Sequence, residues 1–339
     1  MKKIILLISI FFTLFGTSDA NEVNIFSARH YDSDVQLYEK FTHKTGIKVN
    51  VMSGKDKALQ KRIIEEGENC VADLYITADA GRLGAFEEKG MFQKASSSVL
   101  KKAIPSNFRS PYWFGIAKRA RVIYYAPDRL SASDLKGLSY EDLAEPKWKD
   151  KIVIRKSNNV YNQSLVASLI ANNGKKKTAE WAKGLVNNMA RAPKGNDRAQ
   201  ILAVAAGEAE LAVANTYYIA LMLSGKKGPE QQAAAKRVKP FFPNQDGRGT
   251  HMNISGGGVL KHAPNKANAI KLLEYLLTKE AQQHIVNNTF EYPMIDGVEP
   301  NELIAQFGLD FKQDLKTKTS KYGKNQADAL KIMTEAGWE

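Results

Sequence analysis

Tyrosine side chains occur at three places where the sequence predicts that a strand gives way to a helix. They are Tyr31, which follows His30, then Tyr161, and the adjacent pair Tyr217 and Tyr218. A phenolate is a hard oxygen donor, and a highly charged hard cation such as ferric iron can displace the phenol proton, whose free pKa is about 10. Zinc and copper favour His and Cys clusters, and calcium and magnesium favour carboxylate cages. Neither pattern is visible in the sequence, so the tyrosines indicate a site for a hard trivalent metal ion.

Each of these tyrosines also has a structural interpretation. The chain contains 13 tyrosines, and most tyrosines in proteins are amphipathic packing residues. The adjacent pair is harder to explain in this way, because Tyr217 and Tyr218 cannot both face one core if they lie on a helix. Asn215 and Thr216 before them are typical of a helix cap. His30 fits a capping role as well as it fits metal binding.

Overall composition predicts a folded protein with more than one lobe. The chain has 339 residues, of which 43% are hydrophobic and 25% charged. Its net charge of +13 raises nucleic acid or an anionic surface as a partner. Basic tracts such as 175–177 are short and lie beside acids or glycines, which favours a solvated surface over a nucleic-acid face.

The first twenty residues predict an export signal. Lys2 and Lys3 precede an apolar stretch at 4–15, and Ser18-Asp19-Ala20 resembles a cleavage site. The apolar stretch is shorter than the roughly 20 residues that a membrane-spanning helix needs. We therefore expect a signal peptide at 1–20, a periplasmic mature chain from about Asn21, and no transmembrane segment in that mature chain.

Strands and helices alternate along most of the chain, which is typical of an α/β fold. Two extended segments at 112–116 and 122–125 interrupt this alternation and suggest crossings between lobes. The predicted fold class is α/β with two lobes, each a mixed, mostly parallel sheet flanked by helices and hinged by two crossing strands. Lobe 1 is expected at 21–120 plus about 246–295, and lobe 2 at about 121–245 plus 296–339. The further predicted elements are strands at 23–27, 47–51, 74–76, 152–154 and 211–214 and helices at 57–66, 81–89, 162–172, 178–189, 197–206, 267–277 and 279–287.

Several motifs resemble a known family in the family's own order. The chain resembles the periplasmic ferric-ion-binding proteins of bacterial ABC importers, within the transferrin-like cluster of substrate-binding proteins and its cyanobacterial-type branch. The matching segments are SARHYDSD at 27–34, ADAGRL at 78–83, WKDKI at 148–152, RKSNNVYN at 155–162, GND at 195–197 and NTYY at 215–218.

This resemblance implies a type II periplasmic binding protein fold, iron as Fe(III) for the transported ligand, and an inner-membrane ABC permease as the partner. It also implies a monomer that is not an enzyme and binds no nucleic acid. The implied metal ligands are Tyr31, Tyr161, Tyr217 and Tyr218, with His30 as a possible fifth ligand. Arg121 and Arg155 are implied to lie near the site, where they offset phenolate charge or hold an anion.

Other functions stay open at this stage. The same fold could hold a polyamine, a phosphonate or another small organic or anionic solute, because an aromatic cleft suits cations and a basic chain suits anions. A hydrolase would need a nucleophile motif that Ser255-Gly256-Gly257-Gly258 does not match, and this run also lacks the Lys-Ser/Thr ending of a phosphate-binding loop. Two catalytic carboxylates, as in a glycosidase, remain compatible with the sequence.

Overall fold

The computed structural model describes residues 21–29 and 31–339. The predicted signal peptide at 1–20 and the candidate ligand His30 lie outside the described residues. Among the residues that are described, no helix is long and apolar enough to cross a membrane.

One mixed sheet organises the described part of the chain. Its central path runs β2-β1-β3-β8-β4-β6-β5, and β7 and β9 also pair with β4. The pairs β1–β2, β1–β3 and β5–β6 are parallel, whereas β4 and β8 pair antiparallel with their neighbours. The strands are β1 (Glu22–Ser27), β2 (Lys48–Ser53), β3 (Leu74–Thr77), β4 (Trp113–Tyr125), β5 (Ile152–Val153), β6 (Leu211–Asn215), β7 (Lys239–Phe241), β8 (Met252–Val259) and β9 (Tyr292–Pro293).

Strand β4 joins the two halves of the sheet. Its first part pairs with β8 from Trp113 to Ala120, with a register shift between Gly115 and Ala117, and its last part pairs with β6. The sequence predicts two separate extended segments here, and that prediction is wrong because the basic stretch at 118–121 between them is part of the same strand. Its arginines are buried and ion-paired, so the backbone does not have to leave the sheet to solvate them.

The helices largely follow the predicted positions. The predicted break near residue 174 appears inside α5, where Gly174 has φ 79° and ψ 163°. The helices are α1 (Ser33–Thr45), α2 (Asp56–Glu66), α3 (Ala80–Glu88), α4 (Ser98–Ala103), α5 (Val160–Asn187), α6 (Asp197–Ala206), α7 (Tyr217–Leu223), α8 (Pro229–Ala235), α9 (Lys266–Tyr275), α10 (Lys279–Thr289), α11 (Glu302–Ala305) and α12 (Ser320–Glu335).

The glycine run lies in β8, at the middle of the sheet. A Cβ atom at Gly256 would lie 2.6 Å from the Phe114 carbonyl oxygen, and one at Gly258 would lie 2.7 Å from the Phe92 ring. These glycines therefore allow close packing of the sheet.

The C-terminal helix α12, which the sequence did not predict, packs on both α3 and α5. Gly323 of α12 lies against the backbone of Gly84 in α3. Beyond the helix, the Trp338 indole is fully buried and donates a hydrogen bond to the Arg155 carbonyl at 2.8 Å. The lobe boundaries proposed above stay a prediction.

Candidate metal centre

All four predicted tyrosine ligands line one cavity of about 590 Å³. The cavity lies where the end of β1, the start of α2, the start of α5 and the start of α7 meet. Its wall also contains several charged side chains, namely those of Lys55, Asp56, Lys57, Arg82 and Arg155. The structure therefore brings together residues that the sequence separates by up to 187 positions, from Tyr31 to Tyr218.

Three of the tyrosines form a compact group. Tyr161 lies in the first turn of α5, where the Asn159 side chain caps the helix by accepting a hydrogen bond from the Tyr161 amide at 3.1 Å. Tyr217 and Tyr218 begin α7 directly after β6, and their ring centroids are 4.2 Å apart. The hydroxyls of Tyr217 and Tyr161 lie 3.4 Å apart. Two phenol oxygens therefore already converge from two different helix starts.

The fourth tyrosine enters from the segment between β1 and α1. The guanidinium carbon of Arg29 lies over the Tyr31 ring, 4.6 Å from its centroid. A second guanidinium, that of Arg119, lies over the Tyr161 ring at 5.2 Å, and Arg155 approaches the same ring at 5.9 Å. Such contacts stabilise a cation over a ring by about 0.5–2 kcal/mol, depending on solvent exposure.

Burial dominates the protonation of these phenols. It raises the pKa of Tyr31 and of Tyr217 well above 10, and it also raises the pKa of Tyr218. Positive charge on Arg29 and Arg119 lowers the pKa of Tyr31 but does not overcome its burial. These three phenols are therefore neutral near pH 7, and a strongly charged cation in the cavity is what would favour their phenolate forms.

Behind the tyrosines lies a buried ion cluster that we call the Asp197 cluster, made of Arg121, Arg155 and Asp197. Asp197 is fully buried at the start of α6 and binds Arg121 through one carboxylate oxygen at 3.0 Å and Arg155 through the other. Arg121 also donates hydrogen bonds to the side chains of Asn162 and Asn215. Since Asn162 follows Tyr161 and Asn215 ends β6 just before the tyrosine pair, Arg121 joins the two backbone segments that carry three of the phenols. Whether Arg121 and Arg155 offset phenolate charge stays a prediction.

A second buried ion cluster, the Glu291 cluster, was missed by sequence reasoning. It consists of Arg29, Asp34, Arg119 and Glu291, all at most 6% exposed. Arg29 lies inside the matched segment 27–34, and Arg119 inside the basic stretch 118–121 of β4, but sequence reasoning placed only Arg121 and Arg155 near the site. Glu291 carried no local signal, because its partners are distant in the chain.

The single cysteine stands apart from this centre. Cys70 is buried, and burial raises the pKa of its thiol. Within residues 21–29 and 31–339 there is no group of three or more His, Cys, Asp or Glu side chains arranged to hold a metal ion. The oxygen donors in the wall of the large cavity are the tyrosine phenols and the carboxylate of Asp56, which is ion-paired with Arg82.

Comparison with known proteins places the chain among binding proteins for extracytoplasmic solutes. The family described as bacterial extracellular solute-binding protein matches residues 69–314. Iron uptake protein A1 of Synechocystis is 49% identical over 323 residues, which cover 95% of this chain and 88% of that protein.

Solved structures agree with this assignment. The Trichodesmium protein IdiA or FutA, determined in complex with iron and citrate ligands, is 52% identical and superposes with a TM-score of 0.90 over 94% of this chain and 100% of that one. Ferric iron-binding protein A of Mannheimia haemolytica, in an open conformation, is 40% identical with a TM-score of 0.85 over 94% of this chain and 99% of that one. The predicted two-lobe binding-protein fold is confirmed, and the chain belongs to the bacterial extracellular solute-binding protein family.

Proposed function

We propose that this protein binds one iron ion as Fe(III) in the tyrosine-lined cavity and delivers it to the permease of an ABC importer. The observation that carries the proposal is the convergence of phenol oxygens from Tyr161 and Tyr217, with Tyr31 and Tyr218 in the wall of the same cavity. The relatives named for iron uptake and ferric iron binding support it. His30 remains a further candidate ligand on sequence grounds alone.

The donor set favours ferric iron over softer or less charged ions. Buried phenols with raised pKa values give up their protons only when the gain from metal coordination exceeds the free energy of deprotonation. A trivalent hard cation gains the most from phenolate oxygen, whereas zinc and copper gain more from imidazole and thiolate. The site should therefore select among metal ions by their charge and hardness.

Cellular role follows from the family and from the predicted export signal. We infer that the mature chain acts in the periplasm as a monomer, without catalysis and without nucleic acid, and that an inner-membrane permease receives the iron. We therefore expect a metal-dependent interaction between this chain and the permease.

Metal loading tests the proposal directly. The purified protein should bind one Fe(III) per chain and show a visible phenolate-to-iron charge-transfer band, which dithionite bleaches. Tyr161→Phe should weaken this band strongly, and Tyr112→Phe serves as the matched control, since Tyr112 lies outside the cavity wall. Preference for Zn(II) over Fe(III) at matched free-metal concentrations would contradict the proposal.

The tyrosines should contribute unequally. Tyr161, Tyr217 and Tyr218 can form a preassembled half-site, which Tyr31 completes from the other side of the cavity. Tyr31→Phe should leave a weakened but coloured complex, whereas the double substitution of Tyr217 and Tyr218 by Phe should abolish coloured binding. If Tyr31→Phe alone abolished binding while the double variant retained it, capture would begin at Tyr31.

A second candidate is that a small polycarboxylate binds together with the metal. The cavity is much larger than a bare ion, and Lys55 and Lys57 line it beside Arg82 and Arg155, whose guanidinium groups are paired with Asp56 and Asp197. Calorimetric titration with citrate, with and without Fe(III), tests this point. Citrate binding that requires Fe(III) would support a mixed complex, and the same citrate affinity without iron would favour an organic anion as the primary ligand.

A further inference from the structure

A buried carboxylate holds two of the arginines that lie over the phenol rings. Glu291 is 1% exposed and follows Phe290, which ends α10 in the left-handed conformation with φ 59°. A non-glycine residue rarely adopts this conformation, and such residues concentrate where a fold must place a particular group. The turn at Phe290 directs the chain from α10 into β9 with the Glu291 side chain in the interior.

Each oxygen of Glu291 has a different arginine partner. Arg29 Nη1 donates to Oε2 at 2.9 Å, and Arg119 Nη1 donates to Oε1 at 3.2 Å. Ser255 Oγ donates to Oε1 at 2.7 Å. The carboxylate therefore bridges an arginine near the end of β1 to an arginine in β4, and a serine from β8 fixes its orientation.

The guanidinium group of each arginine also contacts the ring of a proposed metal ligand. Arg29 lies over the Tyr31 ring and Arg119 lies over the Tyr161 ring. Arg29 is held further by Asp34, whose carboxylate accepts from Arg29 Nε at 2.9 Å. Arg119 is held further by the Ala78 carbonyl. Through these contacts Glu291 connects the two tyrosines that approach the cavity from different segments.

We propose that Glu291 is a positioning residue of the iron site, which fixes Arg29 and Arg119 over the rings of Tyr31 and Tyr161 and balances their charge so that the site favours the ferric state. This inference rests on the proposed function and concerns a residue that does not touch the metal. The effect of Glu291 is electrostatic as well as geometric, because its carboxylate supplies one of the negative charges beside the buried guanidinium groups of Arg29 and Arg119.

Removal of the Glu291 charge should favour the reduced form of the bound iron. Replacing Glu291 by glutamine keeps the size of the side chain and removes one negative charge from a buried region. The surroundings of the iron then become more positive, and a more positive environment favours Fe(II) over Fe(III) because reduction removes one positive charge from the metal. The variant should therefore bind iron that is easier to reduce.

Spectroelectrochemical titration of the iron-loaded full-length mature protein tests the inference. At a fixed applied potential, Glu291→Gln should raise the ratio of Fe(II) to Fe(III) about tenfold, which corresponds to ~59 mV for a one-electron couple. Glu291→Asp keeps the charge and should return the ratio toward that of the unmodified protein. Glu280→Gln is the matched control, because Glu280 lies on the surface of α10 beside Lys44, where solvent screens its charge.

An unchanged or lowered ratio in Glu291→Gln, with the control also unchanged, overturns the inference. Should that variant not fold, Arg119→Gln decides by the same titration, since it makes the opposite change in charge. In Arg119→Gln, a lowered ratio of Fe(II) to Fe(III) supports the inference, and an unchanged or raised ratio overturns it. An unmodified protein that binds no iron refutes the proposed function itself, and the role of Glu291 is refuted with it.

Discussion

A single added methyl group should separate the C-terminal helix from α3. In Gly323→Ala, the new Cβ atom would lie 2.4 Å from the amide nitrogen of Ala85 and 2.4 Å from the carbonyl carbon of Gly84, whereas ordinary contacts begin near 3.4 Å. Both neighbours are backbone atoms, which cannot rotate away as a flexible side chain can. The two helices must therefore move apart by about 1 Å, the difference between these distances.

The expected loss of stability combines two opposing effects. Overpacking against backbone atoms should cost about 2–3 kcal/mol, the upper part of its usual range, and alanine in place of glycine inside a helix returns about 1 kcal/mol. The net loss should be about 1–2 kcal/mol, which lowers Tm by a few degrees at about 2–4 °C per kcal/mol. Since α12 also packs on α5, the displacement should reach the helix that carries Tyr161 and accelerate iron release.

Substitutions at two other glycines provide references for Gly323→Ala. A Cβ atom at Gly84 would meet its nearest neighbour at 3.2 Å, so Gly84→Ala should be close to neutral after the gain in helix propensity. A Cβ atom at Gly247 would meet only the Asn244 carbonyl at 3.7 Å, and Gly247→Ala serves as the control. Thermal unfolding measures the loss of stability, and transfer of iron to a chelator measures the rate of iron release. Equal or higher stability of Gly323→Ala would refute backbone-to-backbone packing of these helices.

Two further predictions concern buried charges. Burial, with the positive charge of Arg121 and Arg248, holds the pKa of His251 well below 6.5, so the folded protein keeps it neutral while the unfolded chain takes up a proton. The free energy of unfolding should therefore decline as the pH falls below about 6.5, by up to ~1.4 kcal/mol per pH unit. Denaturant unfolding between pH 7.5 and 5.5 should show that the free energy of unfolding of His251→Phe depends less on pH. Asp197→Asn leaves Arg121 and Arg155 without their shared carboxylate. It should lower the free energy of unfolding by about 3–5 kcal/mol in the same assay and abolish iron retention. A decrease below about 1 kcal/mol would show that this buried pairing is unimportant.

Local signals explain why much of the fold could be predicted. Helix α1 ends at Gly46 in the left-handed conformation that glycine favours, and α6 begins after the capping residue Asn196 and ends at Gly207. The tyrosines could be proposed for a similar reason, because each follows a recognisable strand or precedes a recognisable helix. Such patterns depend on neighbours within a few positions.

The parts that could not be predicted depend on distant partners. Arg29 and Glu291 are separated by 262 positions, and no feature of either neighbourhood indicates the other. The sequence predicts two segments in place of strand β4 for the same reason, since Arg119 and Arg121 look like a solvated basic stretch until their buried acidic partners are known. Helix α12 contributes packing surface and carries no site motif that would indicate it.

Tyr161 links the two buried ion clusters. Arg119 of the Glu291 cluster and Arg155 of the Asp197 cluster both lie over the Tyr161 ring. In the proposed complex, four phenolates around Fe(III) carry one net negative charge. The Asp197 cluster carries one net positive charge, and the ion-paired Glu291 cluster is neutral. The net positive charge of the Asp197 cluster therefore lies on the side of Tyr161, Tyr217 and Tyr218, and we expect it to favour capture of the metal there before Tyr31 completes the site.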